Sequence, residues 1–243
     1  RTVEDYQKLT QICDRLRRDQ PLVADQSVDV VLSNCVLNLV NEHEKQQLFS
    51  EIFRVTKVGG RVAISDIVSD EPVPDELKRD PELWSGCISG AFEEEAFLRA
   101  FEQAGFHGIE LTKRDERPWR TLRGAEFRAV TVTAHKGKQG PCYERNQAVI
   151  YKGPFKKVID DDGHFLERGV RQAVCDKTYS LYSREPYAHH FYFVEPLNEV
   201  PVKSAKQFDC SRSARRSPRE TKGIDFNETL DGSSCCGPDG CGN

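Results

Sequence analysis

From Val28 onward the chain switches between two kinds of apolar pattern. Val28-Asp29-Val30-Val31-Leu32 is a short run rich in β-branched residues, which predicts a buried parallel strand closed by the polar Ser33-Asn34-Cys35. Asn41 followed by Glu44 has capping-box spacing, with Asn in place of the usual Ser or Thr. Leu48, Ile52 and Val55 then recur along one helical face, and Gly59-Gly60 is read as the stop. Residues 61–67 form the next predicted strand, ending in Ser65-Asp66.

The pattern repeats after an insertion. Three prolines, Pro72, Pro74 and Pro81, make 70–82 a loop with short helical pieces. Residues 93–104 carry Phe97, Phe101 and Ala104 at helical spacing, with Gly105 as the C-terminal stop, and 109–111 and 127–133 read as strands. Strand, helix, strand, helix, strand predicts a wound α/β sheet, which binds ligands at the C-terminal ends of its strands. Two such ends are visible, Ser33-Asn34-Cys35 and Ser65-Asp66.

Around this passage the texture differs. Residues 1–26 are charged and weakly periodic, with a helix predicted around 6–16. The domain carrying the strands spans 27–136. Lys136-Gly137-Lys138-Gln139-Gly140-Pro141 reads as a linker into a small β-rich domain over 137–196. Residues 197–243 are polar and poor in large apolar side chains, so a disordered tail is expected there.

The 243 residues are 37% hydrophobic and 30% charged with a net charge of −4. This supports a sizeable core with an appendage and gives no single-sign field for nucleic acid or a membrane surface. Arg15-Leu16-Arg17-Arg18 and the cluster from Arg212 to Arg219 read as solvated faces. No apolar run approaches the roughly 20 residues that span a bilayer, and the N-terminus has no apolar signal region, so a cytoplasmic protein is expected. The chain has no methionine, even at position 1, which reads as a fragment. Nine cysteines in a chain of this length are expected to be reduced, metal-binding or catalytic thiols rather than a disulfide framework.

Several segments then become specific. Ser33-Asn34-Cys35-Val36-Leu37-Asn38-Leu39, a helix ending in Arg54-Val55, and a strand into Ser65-Asp66 resemble the second half of an S-adenosylmethionine-dependent methyltransferase. Leu83-Trp84-Ser85-Gly86-Cys87-Ile88-Ser89-Gly90-Ala91 resembles the cysteine-bearing segment of arsenite methyltransferases. Gly140-Pro141-Cys142 with Gln147-Ala148-Val149-Ile150-Tyr151 is similar to that family's second cysteine region, and Cys235-Cys236-Gly237 to its cysteine-rich tail. The resemblance implies a partial doubly wound, Rossmann-like methyltransferase sheet followed by a small β-rich α+β domain. It implies methyl transfer from S-adenosylmethionine to thiol-bound arsenite, or to arsenic–thiol conjugates, with glutathione or thioredoxin as reductant. It also implies Cys87 and Cys142 as arsenic-holding thiolates, and Asn34, Cys35 and Val36 lining the cofactor.

The chemistry is coherent, because trivalent arsenic is thiophilic and keeps a lone pair, and thiolate ligands make its affinity pH-dependent. One departure stands out. No Gly-x-Gly occurs in residues 1–60, so the glycine-rich loop whose backbone would approach the cofactor, and the third thiolate that the resemblance implies just after it, have no counterpart there. Two other readings therefore stay open: a non-catalytic thiol protein binding arsenite or soft metals, and a methyltransferase for another small molecule. Taken alone, Cys87 would read as an ordinary buried thiol. Cys35 reads as packing beside the cofactor, Cys13 and Cys175 as structural or incidental, and Cys210 has no motif around it. His189-His190 reads as structural, Asp160-Asp161-Asp162-Gly163 as a turn, and Trp84 as sharing a helix face with Cys87.

Overall fold

The computed structural model describes residues 2–211, 214–223 and 226–228. They divide into two compact units between Gln139 and Gly140.

The first unit opens with α1 (Val3–Asp19). Thr2 and Asp5 cap it reciprocally, each side chain accepting the other's backbone N–H. β1 (Val28–Asn34) and β2 (Thr56–Ser69) run parallel, joined by α2 (Glu42–Val55). Asn41 caps α2 by accepting the His43 N–H at 3.1 Å. The helix stops at Val55, before the glycines assigned as its stop. Thr56 is already extended, its hydroxyl bonds back to the Ile52 carbonyl at 2.6 Å, and Gly59-Gly60 lie inside β2. Gly60 is needed there for close approach, since a Cβ would stand 2.8 Å from the Asp29 carbonyl of β1.

The insertion folds as α3 (Asp75–Lys78) and α4 (Pro81–Ser85). Then follow β3 (Phe92–Glu93), α5 (Glu94–Ala104), β4 (His107–Arg114), β5 (Arg120–Leu122) and β6 (Ala125–His135). Gly105 ends α5 at φ 98°, a left-handed cap that glycine takes at no steric cost. The sheet order is β1-β2-β6-β4, with β3 added to β2 and β5 to β6. β6 lies antiparallel between β2 and β4, so the sheet is mixed α/β. Phe49 of α2 meets Phe101 of α5 edge to face at 4.9 Å over Val62, Ile64, Val132 and Ala134. Fully buried aromatic pairs of this kind dominate such cores. β1 departs from the expectation of a buried strand: with β2 as its one neighbour among the described residues it is an edge, and Val30 and Leu32 are 42% and 75% exposed.

The second unit contains β7 (Tyr143–Glu144), β8 (Ala148–Tyr151), β9 (Lys157–Ile159), β10 (Phe165–Glu167), β11 (Arg171–Ala173), α6 (Asp176–Tyr182), β12 (Phe191–Val194) and β13 (Lys206–Gln207). β8 is the centre of an antiparallel three-stranded sheet between β11 and β12, and β9 with β10 makes a hairpin. Tyr182 stacks on Phe191 at 4.7 Å within a core that includes Val149, Tyr151, Leu166 and Val174.

This unit does not end at residue 196. The segment expected to be disordered from 197 instead packs back through polar contacts. Arg216 bonds Glu144 at 2.7 Å, the Ala173 N–H donates to the Ala214 carbonyl at 2.8 Å, and Arg171 holds Thr221, which is fully buried. Low apolar content argued against a core of its own, yet these residues need none, because they complete the edges of β7 and β11. Cys235, Cys236 and Cys241 lie outside the described residues.

Asp160-Asp161-Asp162-Gly163 is a turn, the Gly163 N–H donating to the Asp160 carbonyl at 2.9 Å. The Asp160 carboxylate sits 2.8 Å from His164 Nδ1 and accepts the Tyr182 hydroxyl. Burial raises the Asp160 carboxyl, but His164 and Tyr182 outweigh it and hold the group below its usual value, while Asp160 lifts His164 above its own. The depressed carboxyl contributes stability above about pH 4 that is lost on acidification. The raised imidazole contributes stability below about pH 6.5 that is lost as pH climbs through its folded value. The second unit should therefore be most stable between these limits, and His164→Phe should flatten the alkaline decline. Denaturation followed by tyrosine near-ultraviolet dichroism reports it, since six of the seven tyrosines lie in this unit. An unchanged alkaline decline in the variant would assign it to another group.

Candidate active site

β1 ends with Asn34 opposite Ser65 of β2, and β2 continues past it to Ser69. Beyond that point Cys35 takes φ 53°, a left-handed conformation that is uncommon for a residue with a Cβ, and its N–H donates to the Ser65 carbonyl at 2.9 Å. The chain then tightens into the short turn Leu37–Leu39. Asp66 anchors this turn: one carboxylate oxygen accepts the Leu37 N–H at 3.0 Å and the other accepts the Ile67 N–H at 2.8 Å. Asp66 is buried. Burial pushes its carboxyl up, against the backbone N–H groups of Ile67, Leu37 and Asn38 and the Lys45 ammonium, which pull it down.

Asn38 is wholly buried and joins this strand end to the segment carrying Cys87. Its amide donates to the Ile67 carbonyl at 2.6 Å and to the Cys87 carbonyl at 3.0 Å. Gly90 packs on Asn38 so closely that a Cβ would meet the Asn38 carbonyl oxygen at 2.0 Å. Lys45, also buried, donates to the Gly90 carbonyl and lies 4.1 Å from the centre of the Phe92 ring.

Cys87 is thereby fixed over the strand end. It is half-buried, has φ 61°, and its Sγ donates to the Cys35 carbonyl at 3.5 Å. Burial pushes the Cys87 thiol up, and the nearby Asp66 and Cys35 push it further; burial and Asp66 do the same for Cys35. Asn34, Cys35 and Val36 are exposed beside it. Trp84 and Cys87 do not share a helix face, because α4 ends at Ser85 and Cys87 follows in a left-handed turn. Asn38, Asp66 and Lys45 went unassigned in the sequence. Asn38 had a signal, being the one polar residue within Val36-Leu37-Asn38-Leu39-Val40.

Cys142 belongs to the second unit. It immediately precedes β7, which pairs with β13, and its carbonyl accepts the Phe208 N–H at 2.9 Å. That ladder carries Cys210 alongside. Cys175 caps α6, its Sγ accepting the Thr178 N–H at 3.4 Å. The Sγ atoms of Cys142, Cys175 and Cys210 all lie within 4.8 Å of one another. Burial works to raise the Cys142 thiol, but hydrogen bonds from Cys210 and Cys175 and the Lys177 ammonium overcome it and hold Cys142 below the usual thiol value. Burial and the bond to Cys142 raise Cys210. Cys175 has the structural role expected of it and a second neighbourhood that the sequence did not reveal.

Residues 10–105 match a family model described as a methyltransferase domain, and residues 138–226 match one described as a domain of unknown function. An arsenite methyltransferase of Halobacterium salinarum is 46% identical over 94 residues, 39% of this chain and 24% of the relative. That of Aquipseudomonas alcaligenes is 31% identical over 184 residues, 71% of this chain and 53% of the relative. The chain belongs to the arsenite methyltransferase family. It spans about half the length of most of the curated arsenite methyltransferases it matches, with 53%, 50% and 49% of three of them covered. A crystal structure of an arsenic(III) S-adenosylmethionine methyltransferase from Chlamydomonas reinhardtii is 26% identical, with a TM-score of 0.49, over 79% of this chain and 66% of that one.

Proposed function

We propose that the protein transfers a methyl group from S-adenosylmethionine to trivalent arsenic bound as a thiolate, with Cys87 and Cys142 as arsenic ligands. The observation that carries this reading is the fixing of Cys87 by Asn38 against Cys35 at the C-terminal end of β1, the ligand side of a wound sheet. The exposed stretch Asn34–Cys35–Val36 at that end fits one flank of the cofactor. S-adenosylmethionine supplies an electrophilic methyl group, and trivalent arsenic brings the lone pair that receives it. The protein's own contribution is placement: two thiolates fix the arsenic, and fixed near-attack geometry is where such catalysis gains most. Substrate reaches the site as arsenite or as arsenic–thiol conjugates, and glutathione or thioredoxin supplies reducing equivalents. Among the described residues no helix is long and apolar enough to cross a membrane, and a cytoplasmic setting keeps the thiols reduced.

A second reading is a thiol protein that holds arsenite without methylating it. Residues 1–60 contain no Gly-x-Gly, the kind of loop whose backbone approaches such a cofactor closely. Calorimetric titration of this chain with S-adenosylmethionine should accordingly show weak binding. The deciding assay supplies the cofactor at saturating concentration with arsenite and thioredoxin and separates arsenic species chromatographically. Methylated arsenicals are the expected product. Bound arsenite with no methylated product at any cofactor concentration would establish the second reading instead.

A further inference from the structure

We propose that Cys142, Cys175 and Cys210 form a self-contained three-thiolate site in the second unit, which captures inorganic trivalent arsenic without Cys87 and without the cofactor. The choice of arsenic among thiophilic ions rests on the reading above; the three-coordinate thiolate site rests on the cluster itself.

The donor count is the first argument. Among the described residues these three Sγ atoms form a group within 4.8 Å, and no fourth His, Cys or carboxylate oxygen joins it. Structural zinc sites take four ligands, with Zn–S bonds of about 2.3 Å that place sulfurs roughly 3.8 Å apart. Trivalent arsenic, with a lone pair in the fourth direction, is satisfied by three thiolates at comparable separations, so a small contraction of this cluster completes it.

Access is the second argument. Cys142 and Cys210 are half-buried and border an open groove lined by Gly140, Pro141, Gln207, Phe208 and Asp209. Cys175 is buried behind them. An arsenic entering through the groove meets the two rim thiols first and is closed off by the third. The nearby Lys177 ammonium, 3.3 Å from the Gly140 carbonyl, favours the thiolate form of Cys142.

The exchange is balanced without any redox partner. Three As–O bonds of arsenous acid are replaced by three As–S bonds, each departing hydroxide leaves as water with a proton from one thiol, and arsenic stays trivalent. An arsenic that already carries a methyl group has two exchangeable positions and engages two of the three thiols. The site therefore prefers inorganic arsenite to methylated product, so it loads substrate and lets product go.

The test uses the full chain with Cys235, Cys236 and Cys241 changed to Ser, so that these thiols do not compete, and no S-adenosylmethionine. Reduced protein is titrated with sodium arsenite, and bound arsenic is measured by mass spectrometry after desalting and by near-ultraviolet sulfur-to-arsenic absorption. One equivalent is expected, with three sulfur neighbours by X-ray absorption. Cys175→Ser and Cys210→Ser should each weaken it roughly tenfold or more, about 1.4 kcal/mol per factor of ten, and Cys87→Ser should leave it intact. Serine is a good helix N-cap, so Cys175→Ser keeps α6, and Cys210→Ser leaves β13 untouched as a second variant. Monomethylarsonous acid should bind more weakly than arsenite. Arsenite binding unchanged in both Cys175→Ser and Cys210→Ser, or lost in Cys87→Ser, would overturn the site; so would zinc bound with four ligands that arsenite does not displace. Failure of methylation with this binding pattern intact would overturn the enzymatic reading alone.

Discussion

Replacing Gly90 with alanine is expected to lower the stability of the first unit by about 3 kcal/mol or more, combining overpacking of roughly 1–3 kcal/mol with loss of buried hydrogen bonds worth roughly 1–3 kcal/mol each. The added Cβ would stand 2.0 Å from the Asn38 carbonyl oxygen, which is backbone and cannot swing aside as a flexible side chain would. Relief requires moving Asn38, whose amide bonds to Ile67 and Cys87 are the tie between strand end and cysteine segment. Both tryptophans of the chain, Trp84 and Trp119, lie in the first unit, so tryptophan fluorescence during urea unfolding reports this unit by itself. Alkylation of Cys87, read by mass spectrometry, should accelerate in parallel because the tie no longer holds its carbonyl. A midpoint within error of the parent would mean that the Gly90 segment relaxes freely and that Asn38 does not position Cys87.

Much of the first unit was legible because its signals are local. The β-branched run at Val28 is a strand that ends at Asn34, and the Phe97 and Phe101 stripe with Gly105 is a helix and its cap, whereas the strand expected to end at Ser65-Asp66 runs on to Ser69. What misled was context. Gly59-Gly60 looks like a helix stop in isolation, but its role is to let β2 approach Asp29. The second unit was harder to read because its organisation comes from long-range polar pairing. β7 and β13 have two residues each, too short for any periodicity, yet their ladder is what delivers Cys210 to Cys142 across the sequence. No local motif marks Cys210, so only the pairing gives it neighbours. The polar stretch after residue 196 was misread for a related reason: Arg145, Arg171 and Arg216 are held by Glu199, Thr221 and Glu144, and composition records the charges but not their partners.

Cys87→Ser is expected to reduce methyl transfer by roughly a hundredfold or more, the scale on which misplacing a reacting centre acts, while arsenite is still captured by the second unit. Protonation of Cys87 matters as well as its placement. Arsenic binds the thiolate, and burial, Asp66 and Cys35 all raise the Cys87 thiol, so the fraction of competent Cys87 grows as pH rises toward that elevated value. Methyl transfer should therefore climb through the alkaline range. Asp66→Asn removes a negative charge beside the thiol, lowers its pKa, and should move the climb to lower pH. The alkylation rate of Cys87 against pH must shift the same way, and this readout needs no turnover. Cys35→Ser separates the two neighbouring thiols. Cys87 donates to the Cys35 backbone carbonyl, which serine retains, so that variant should keep most of its activity and its arsenite capture. Equal loss in Cys35→Ser and Cys87→Ser would assign the reacting arsenic to the wrong thiol, and a pH profile unmoved by Asp66→Asn would show that Cys87 ionisation does not limit the reaction.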